Sequence, residues 1–489
     1  MEKYVLAIDQ GTTSTRAILF DKNQNAVKVS QKEIEVFFPH PSWVEQDANE
    51  IWLSTLSVIS GLFKDGDILP SQVDSIGITN QRETTIVWDK TTGMPVYHAI
   101  VWQSRQTADI IEDYKSRGVE ETIKQKTGLI LDPYFSASKI RWILDNVDGA
   151  KDNDNLIFGT VDTWLLWKLT GGRVHATDVT NASRTLLFNI NTLNWDEDLL
   201  KLFDIKKEML PEIKDTSGLF GYTDKATFFG LECPITALVG DQQGALFGES
   251  CFEKGEIKNT YGTGGFLLIN TGDKPVFSKY GLLSTVAWKI KDDVKYALEG
   301  SIFVSGSLIQ WLRDQMKFFE NASESERLAK SVEDSNGVII VPAFTGMGAP
   351  YWNHECKGAI YGLTRGTTIE HLTRAAIEAM AYQSKDLIEV MENDLNQKVG
   401  ELKVDGGATG NNYLLEFQSD ILGIPVTKTK HTESTALGAC RLAGLETGYY
   451  TLNDFKNEEF TKIDPKMSKE IREKLYARWK KAVEATFMY

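Results

Sequence analysis

The chain has little of what would commit it to an oxidising, zinc-dependent or membrane setting. Its 489 residues include four cysteines, Cys233, Cys251, Cys356 and Cys440. They lie far apart with no CxxC pair, which argues against a disulfide framework or a zinc site and for reduced core thiols. The six histidines show no HExxH or related spacing, so neither zinc hydrolysis nor a histidine nucleophile is supported. Positive charge is short as well: 53 Lys and Arg against 68 Asp and Glu leave a formal charge of -15. That balance disfavours nucleic acid and anionic membrane surfaces as partners, because both reward basic patches. No segment approaches the roughly 20 apolar residues of a membrane span. The apolar part of MEKYVLAID is too short for a signal segment, so a cytoplasmic protein is expected. Neither GxxxxGK[ST] nor a GxGxxG opening a helix occurs. Any phosphate must therefore be held by another kind of loop.

With 42% hydrophobic residues the chain can bury a large core. Single cores rarely grow past roughly 250 to 300 residues, so two lobes are expected, 1–249 and 250–489. AIDQGTTSTRAILFD (7–21) sets Asp9 against Gly11, Thr12, Thr13, Ser14 and Thr15, with Arg16 closing the run, between two strand-like segments. Such a turn presents backbone and hydroxyl donors to an anion, while Asp9 either reaches a magnesium ion or simply shapes the turn. A third strand at Ala26 to Val36, a helix from Asp47 to about Lys64 with Glu50 completing a capping box, and a strand at Val73 to Thr79 follow. The same order recurs from IKNTYGTGGFLLIN (257–270) onward, with strands near 282–290, 294–299 and 338–341 and a helix near 303–315. TALVGDQQGALFG (236–248) and LKVDGGATGNNYLL (402–415) form a second matching pair of strand, Asp, Gly and helix. Two α/β lobes of similar plan would face each other across a cleft, where small ligands bind.

Phosphorylating an alcohol needs a base beside the hydroxyl, donors around the phosphoryl group and residues that hold the acceptor in line. Asp241, ending one strand and opening a helix, reads as a base or as a helix cap. Arg82 and Glu83, following SIGIT through Asn80 and Gln81, read as a site pair or as a surface ion pair.

The paired turns and the duplicated order resemble the actin-like ATPase plan, in which ATP lies between two ribonuclease-H-like lobes. YFSASKIRWILDN (134–146) and GAIYGLTRGTTIEHLTRAAIE (358–378) fit the two signatures of the FGGY carbohydrate kinases, a resemblance that spans essentially the whole chain. Within that family, TNQRETTIVWD, DPYFSASK, GDQQGALFG and NTYGTGGF are similar to the blocks of members acting on glycerol. The resemblance implies ATP-dependent conversion of glycerol to sn-glycerol 3-phosphate, the first step of glycerol catabolism. It places Arg82, Glu83, Tyr134, Asp241 and Gln242 on the glycerol hydroxyls, Trp102 and Phe266 along its carbons, and Asp241 as general base. It places Thr12, Thr13, Ser14, Arg16 and Thr263 at the phosphates, Gly306 and Gln310 near the nucleotide, and Gly407 and Asn411 at the adenosine end. Asp9 would act on Mg2+ through water. Glycerol and ATP are the expected partners, with no nucleic acid and no integral membrane segment, in a homodimer or homotetramer. Two rival readings stay open: a kinase of another polyol or of a sugar such as xylulose, and an actin-like ATPase switch.

Overall fold

The computed structural model describes residues 2–353, 355–430, 433–455 and 460–488. β1 (Tyr4–Gln10) and β2 (Ser14–Phe20) form an antiparallel hairpin, and β3 (Ala26–Glu33) pairs with the far side of β2. α1 (Ala48–Phe63) begins where Asp47 accepts the Asn49 amide. The expected capping box is only half built, because Glu50 accepts the amide of Glu35 instead and so ties the helix to the end of the meander. β4 (Val73–Asn80) then runs parallel to β1. The long segment that follows carries α2 (Ser136–Asn146) and surrounds its own apolar core. β5 (Ser217–Tyr222) and β6 (Pro234–Gly240) complete a six-stranded sheet of order β5-β6-β4-β1-β2-β3, and α3 (Asp241–Gly248) leaves β6.

The second half repeats the plan. Its elements are β7 (Ile257–Tyr261), β8 (Gly265–Gly272), β9 (Leu283–Ile290), β10 (Asp293–Ile302), α4 (Gly306–Asp314), α5 (Ile369–Leu395) and β11 (Leu402–Asp405). After these come α6 (Asn412–Leu422), β12 (Val426–Thr429), α7 (Ser434–Thr447), β13 (Phe460–Ile463) and α8 (Lys469–Thr486). The seven strands are ordered β9-β10-β8-β7-β11-β12-β13. Within this sheet β10-β8-β7-β11-β12 has the order and strand senses of β3-β2-β1-β4-β6, two antiparallel pairs followed by two parallel ones.

Two expectations change in detail. The segments 236–248 and 402–415 are not counterparts: β6 is the fifth strand of the repeated unit and β11 the fourth, so β11 matches β4. A strand that feeds a helix through Asp and Gly occurs at several sheet positions, and only the ladder decides which. The strand at Ile339–Val341 pairs with Ala359–Tyr361 outside both large sheets. On α8, Trp479 and Val483 are buried, whereas Ile471 is exposed. All four cysteines are buried and unpaired.

The two sheets share one apolar cluster. Val5, Ala7, Val239, Leu246 and Phe247 of the first half pack with Leu268, Ala297, Leu437 and Leu442 of the second. α3 and α7 cross inside this cluster at glycines, where the helix backbones touch. A Cβ on Gly438 would lie 1.9 Å from the Gly244 carbonyl oxygen, and one on Gly248 2.0 Å from that of Ser434. Neither contact can relax by side-chain rotation, because the obstacle is backbone. Gly438→Ala is expected to cost about 2 kcal/mol through overpacking. Urea unfolding checks this, and an unchanged midpoint would show that the helices separate freely.

Candidate active site

The site forms where strands end. Gln10, Asn80 and Gly240 stand side by side across β1, β4 and β6, so the first hairpin turn, the NQRE loop and Asp241 all emerge from one sheet edge. In the second sheet Thr260 pairs with Asp405, which brings the second hairpin turn beside the DGG loop. Carboxyl ends of parallel strands are where α/β folds usually place ligands.

Each turn is closed by a backbone hydrogen bond from its first glycine, though the first turn is one residue longer. The Gly11 amide donates to the Ser14 carbonyl at 2.9 Å, and the Gly262 amide to the Gly264 carbonyl at 2.9 Å. Thr13 and Thr263 are exposed at the tips. The second turn is braced from behind, with the Ser305 and Ser307 amides on the Thr263 carbonyl and the Gly306 amide on that of Gly262. A Cβ at Gly306 would sit 2.5 Å from the Gly262 oxygen, so only glycine opens α4 this close to the turn. Gln310 is exposed one turn along α4. Gly406 has φ +89° with its backbone against Tyr261, which seats the DGG loop on the root of the second hairpin. Gly407 opens onto free space. Asn411 caps α6 by accepting the Leu414 amide at 3.1 Å, so this residue has a helix-capping task whatever else it touches.

The polyol candidates of the NQRE loop sit deep in the protein. Gln81 donates to Gln46 at 2.8 Å, and Gln46 to the Thr12 carbonyl at 2.6 Å, which fixes the loop to the phosphate turn. Glu83 adopts φ 60°, a strained left-handed conformation held by its surroundings. Arg82 and Glu83 do not pair with each other, so the surface ion pair reading is excluded. Arg82 Nη1 and Nη2 grip Glu299 of β10 at 2.5 and 3.1 Å, and Arg82 Nε lies 3.1 Å from Asp241 Oδ1. Glu83 accepts from Arg184 Nε at 2.6 Å, while Arg184 Nη2 reaches the same Glu299 at 2.9 Å. The result is an alternating line of charge, Glu83, Arg184, Glu299, Arg82, Asp241. Burial alone would raise the Glu299 carboxyl, but Arg184 and Arg82 outweigh it and hold it at about 2. Arg184 Nη1 is buried without an acceptor among the described residues, a donor that a hydroxyl or water would satisfy.

Trp102 and Tyr134 make the wall, edge to face with centroids 5.6 Å apart. Trp102 Nε1 donates to Thr12 Oγ1 at 2.9 Å, tying the wall to the first turn. Lys139 fixes the loop bearing Tyr134 by donating to the carbonyls of Pro133, Tyr134 and Phe135 at 2.7, 2.5 and 3.2 Å. Burial pushes its ammonium down to about 7, against the pull of Glu83 and Asp132. Phe266 is half-buried on β8, and its carbonyl accepts from Lys258. Lys258 Nζ also holds the Gln242 amide oxygen at 2.5 Å and Thr260 at 2.7 Å, which links α3 to the second sheet.

Asp241 is not an N-cap: α3 starts at this residue, after Gly240. Its Oδ1 takes Arg82 Nε and the Gln242 amide at 2.7 Å, while Oδ2 has only a 3.4 Å contact from Gln242 Nε2. Asp9 is raised to about 7 by burial, with Asp241 and Glu433 adding to the effect against Arg16. Arg16 Nη1 pairs with Glu433 at 2.5 Å, joining the first hairpin to the start of α7. No group of three or more His, Cys, Asp or Glu side chains forms a metal cage among the described residues, and His354 and His431 lie outside them. Asp9, on the strand that leads into the first turn, suits Mg2+, which commonly binds through one or two carboxylates together with substrate phosphates.

Arg184, Glu299, Gln243, Lys139 and Lys258 escaped the sequence reading. Gln243 accepts from Arg82 at 3.2 Å and Lys139 lies inside a quoted signature. Glu299 and Lys258 lie in strands that mix polar and apolar residues, DVKYALEGSI and IKNTY, so nothing local set either charge apart.

Two sheets of one strand order, joined through crossing helices with paired turns at their strand ends, define the actin-like ATPase fold. The first half (4–248) matches the model of the FGGY family of carbohydrate kinases, N-terminal domain, and 257–447 matches the C-terminal domain. The chain belongs to this family. It is 54% identical over 497 residues to a glycerol kinase of Geobacillus sp. (strain WCH70), covering 100% of both chains. It is 55% identical over 492 residues to one of Bacillus cereus (strain Q1), covering 99% of each. Among solved structures, Plasmodium falciparum glycerol kinase with ADP superimposes with a TM-score of 0.93 at 38% identity, covering 99% of this chain and 98% of that one. A gluconate kinase from Lactobacillus acidophilus shares the fold at a TM-score of 0.88 and 22% identity, covering 99% and 98%.

Proposed function

We propose that the protein transfers the γ-phosphoryl group of ATP to a terminal hydroxyl of glycerol, giving sn-glycerol 3-phosphate and ADP. The observation that carries this reading is the placement of Asp241 beside Arg82, at the same sheet edge as a Trp102–Tyr134 wall hydrogen-bonded to the phosphate turn. The lobe 1–249 supplies the first turn and all of the acceptor site but Phe266, and 250–489 supplies Phe266 and the nucleotide side. Trp102 and Phe266 cover the carbon chain, while Arg82, Glu83, Tyr134 and Gln242 orient the hydroxyls. Asp241 Oδ1 is occupied by two donors, so Oδ2 is the oxygen that accepts the hydroxyl proton as the new P–O bond forms. Thr12, Thr13, Ser14, Arg16 and Thr263 hold the phosphates in line. Gly306 and Gln310 flank the nucleotide, with Gly407 and Asn411 at its adenosine. Asp9 would hold Mg2+ through water, and the ion would supply charge neutralisation on the phosphates. Closure of the lobes excludes water, so the polyol and not solvent attacks.

ADP release measured with and without glycerol, and against xylulose and gluconate, tests this. Release that depends on glycerol and is at least tenfold weaker with the sugars is expected. Slow release indifferent to glycerol would instead support an ATPase switch.

A further inference from the structure

Glu299 lies on β10 in the second sheet, yet its carboxylate is completed by two arginines of the first lobe. It is fully buried, mid-strand, and paired with Leu268 and Leu283 on either side, positions where an unpaired charge would be very costly. Arg82 presents its Nε edge to a ligand or to Asp241, because its Nη1–Nη2 end is engaged by Glu299 in a fork-to-fork pairing. The orientation of Arg82 Nε toward Asp241, and the place of Arg184 against the Tyr134 ring at 5.7 Å, are therefore set jointly by Gln243 and Glu83 of the first lobe and by Glu299 of the other.

We infer that Glu299 is the positioning residue of the polyol site: it aims Arg82 and Arg184, so that acceptor binding in the first lobe requires the second lobe to be seated. This rests on the glycerol kinase reading. It assigns Glu299 no contact with substrate; its effect passes through Arg82.

Glu299→Asp keeps the buried charge but shortens the reach, which makes it the informative variant. In the full chain, glycerol KM is expected to rise about tenfold or more, with the ATP KM changed by less than about twofold, as loss of a charge-assisted contact on one substrate predicts. Calorimetric titration of glycerol without nucleotide should show the same weakening. A double-mutant cycle with Arg82→Lys gives the readout that a merely structural role would not move: if Glu299 acts through Arg82, the combined effect falls well short of the product of the two. Equal changes in both KM values, an unchanged glycerol KM, or effects that multiply would each overturn the inference. If Glu299→Asp does not fold, Arg184→Lys in the same assays decides, with a selective rise in glycerol KM expected and its absence counting against. Wild-type protein that fails to release ADP in response to glycerol would overturn the parent reading instead, so the two failures are distinguishable.

Discussion

Asp241→Asn is expected to lower kcat by about 10²- to 10⁴-fold, the contribution of a positioned general base. The substitution is nearly isosteric and retains an oxygen for Arg82 Nε, which lies 3.1 Å from Oδ1 in the native protein. What it removes is the capacity of Oδ2 to take a proton. Glycerol KM and ATP KM should therefore change little, and the loss should fall on kcat. Because the side chain is about one-third exposed at the mouth of α3, the fold tolerates the change. Single-turnover phosphoryl transfer with prebound glycerol checks the assignment. Near-wild-type turnover would remove Asp241 from the role of base and leave the proton to water or to the phosphate.

Arg82→Lys is expected to reduce kcat/KM for glycerol by about 10²-fold or more, with ATP binding nearly intact. A lysine ammonium retains the charge but cannot reproduce the two-pronged grip on Glu299 while also reaching Asp241. Alanine is the poorer test: it leaves Glu299 with Arg184 alone in a buried setting and costs about 3 to 5 kcal/mol of stability, the penalty for breaking a buried ion pair. Steady-state kinetics over both substrates distinguish the outcomes. An equal loss for glycerol and ATP would place Arg82 at the nucleotide.

Much of this architecture was legible locally. The hairpin strands, α1 and the return strand after it follow from alternation, helical spacing and capping, all properties of neighbours in sequence. A helix start still changed where a residue beyond the segment competed, as the Glu35 amide did for Glu50. Asp241, Arg82 and Glu83 could be singled out because each follows a strand, but their partners could not.

The sequence by itself determined the two repeated α/β units, the glycine-rich turns and the family, because these depend on short-range spacing and on signature strings. Only the tertiary structure decided how charge is paid out across the cleft: Arg82 and Glu299 are 217 positions apart, and Arg16 meets Glu433 at a separation of 417. A buried ion pair leaves no periodic trace in either of its segments. Its partner is chosen by which strand faces which once both sheets have closed on their shared core, and that is a property of the packed chain alone.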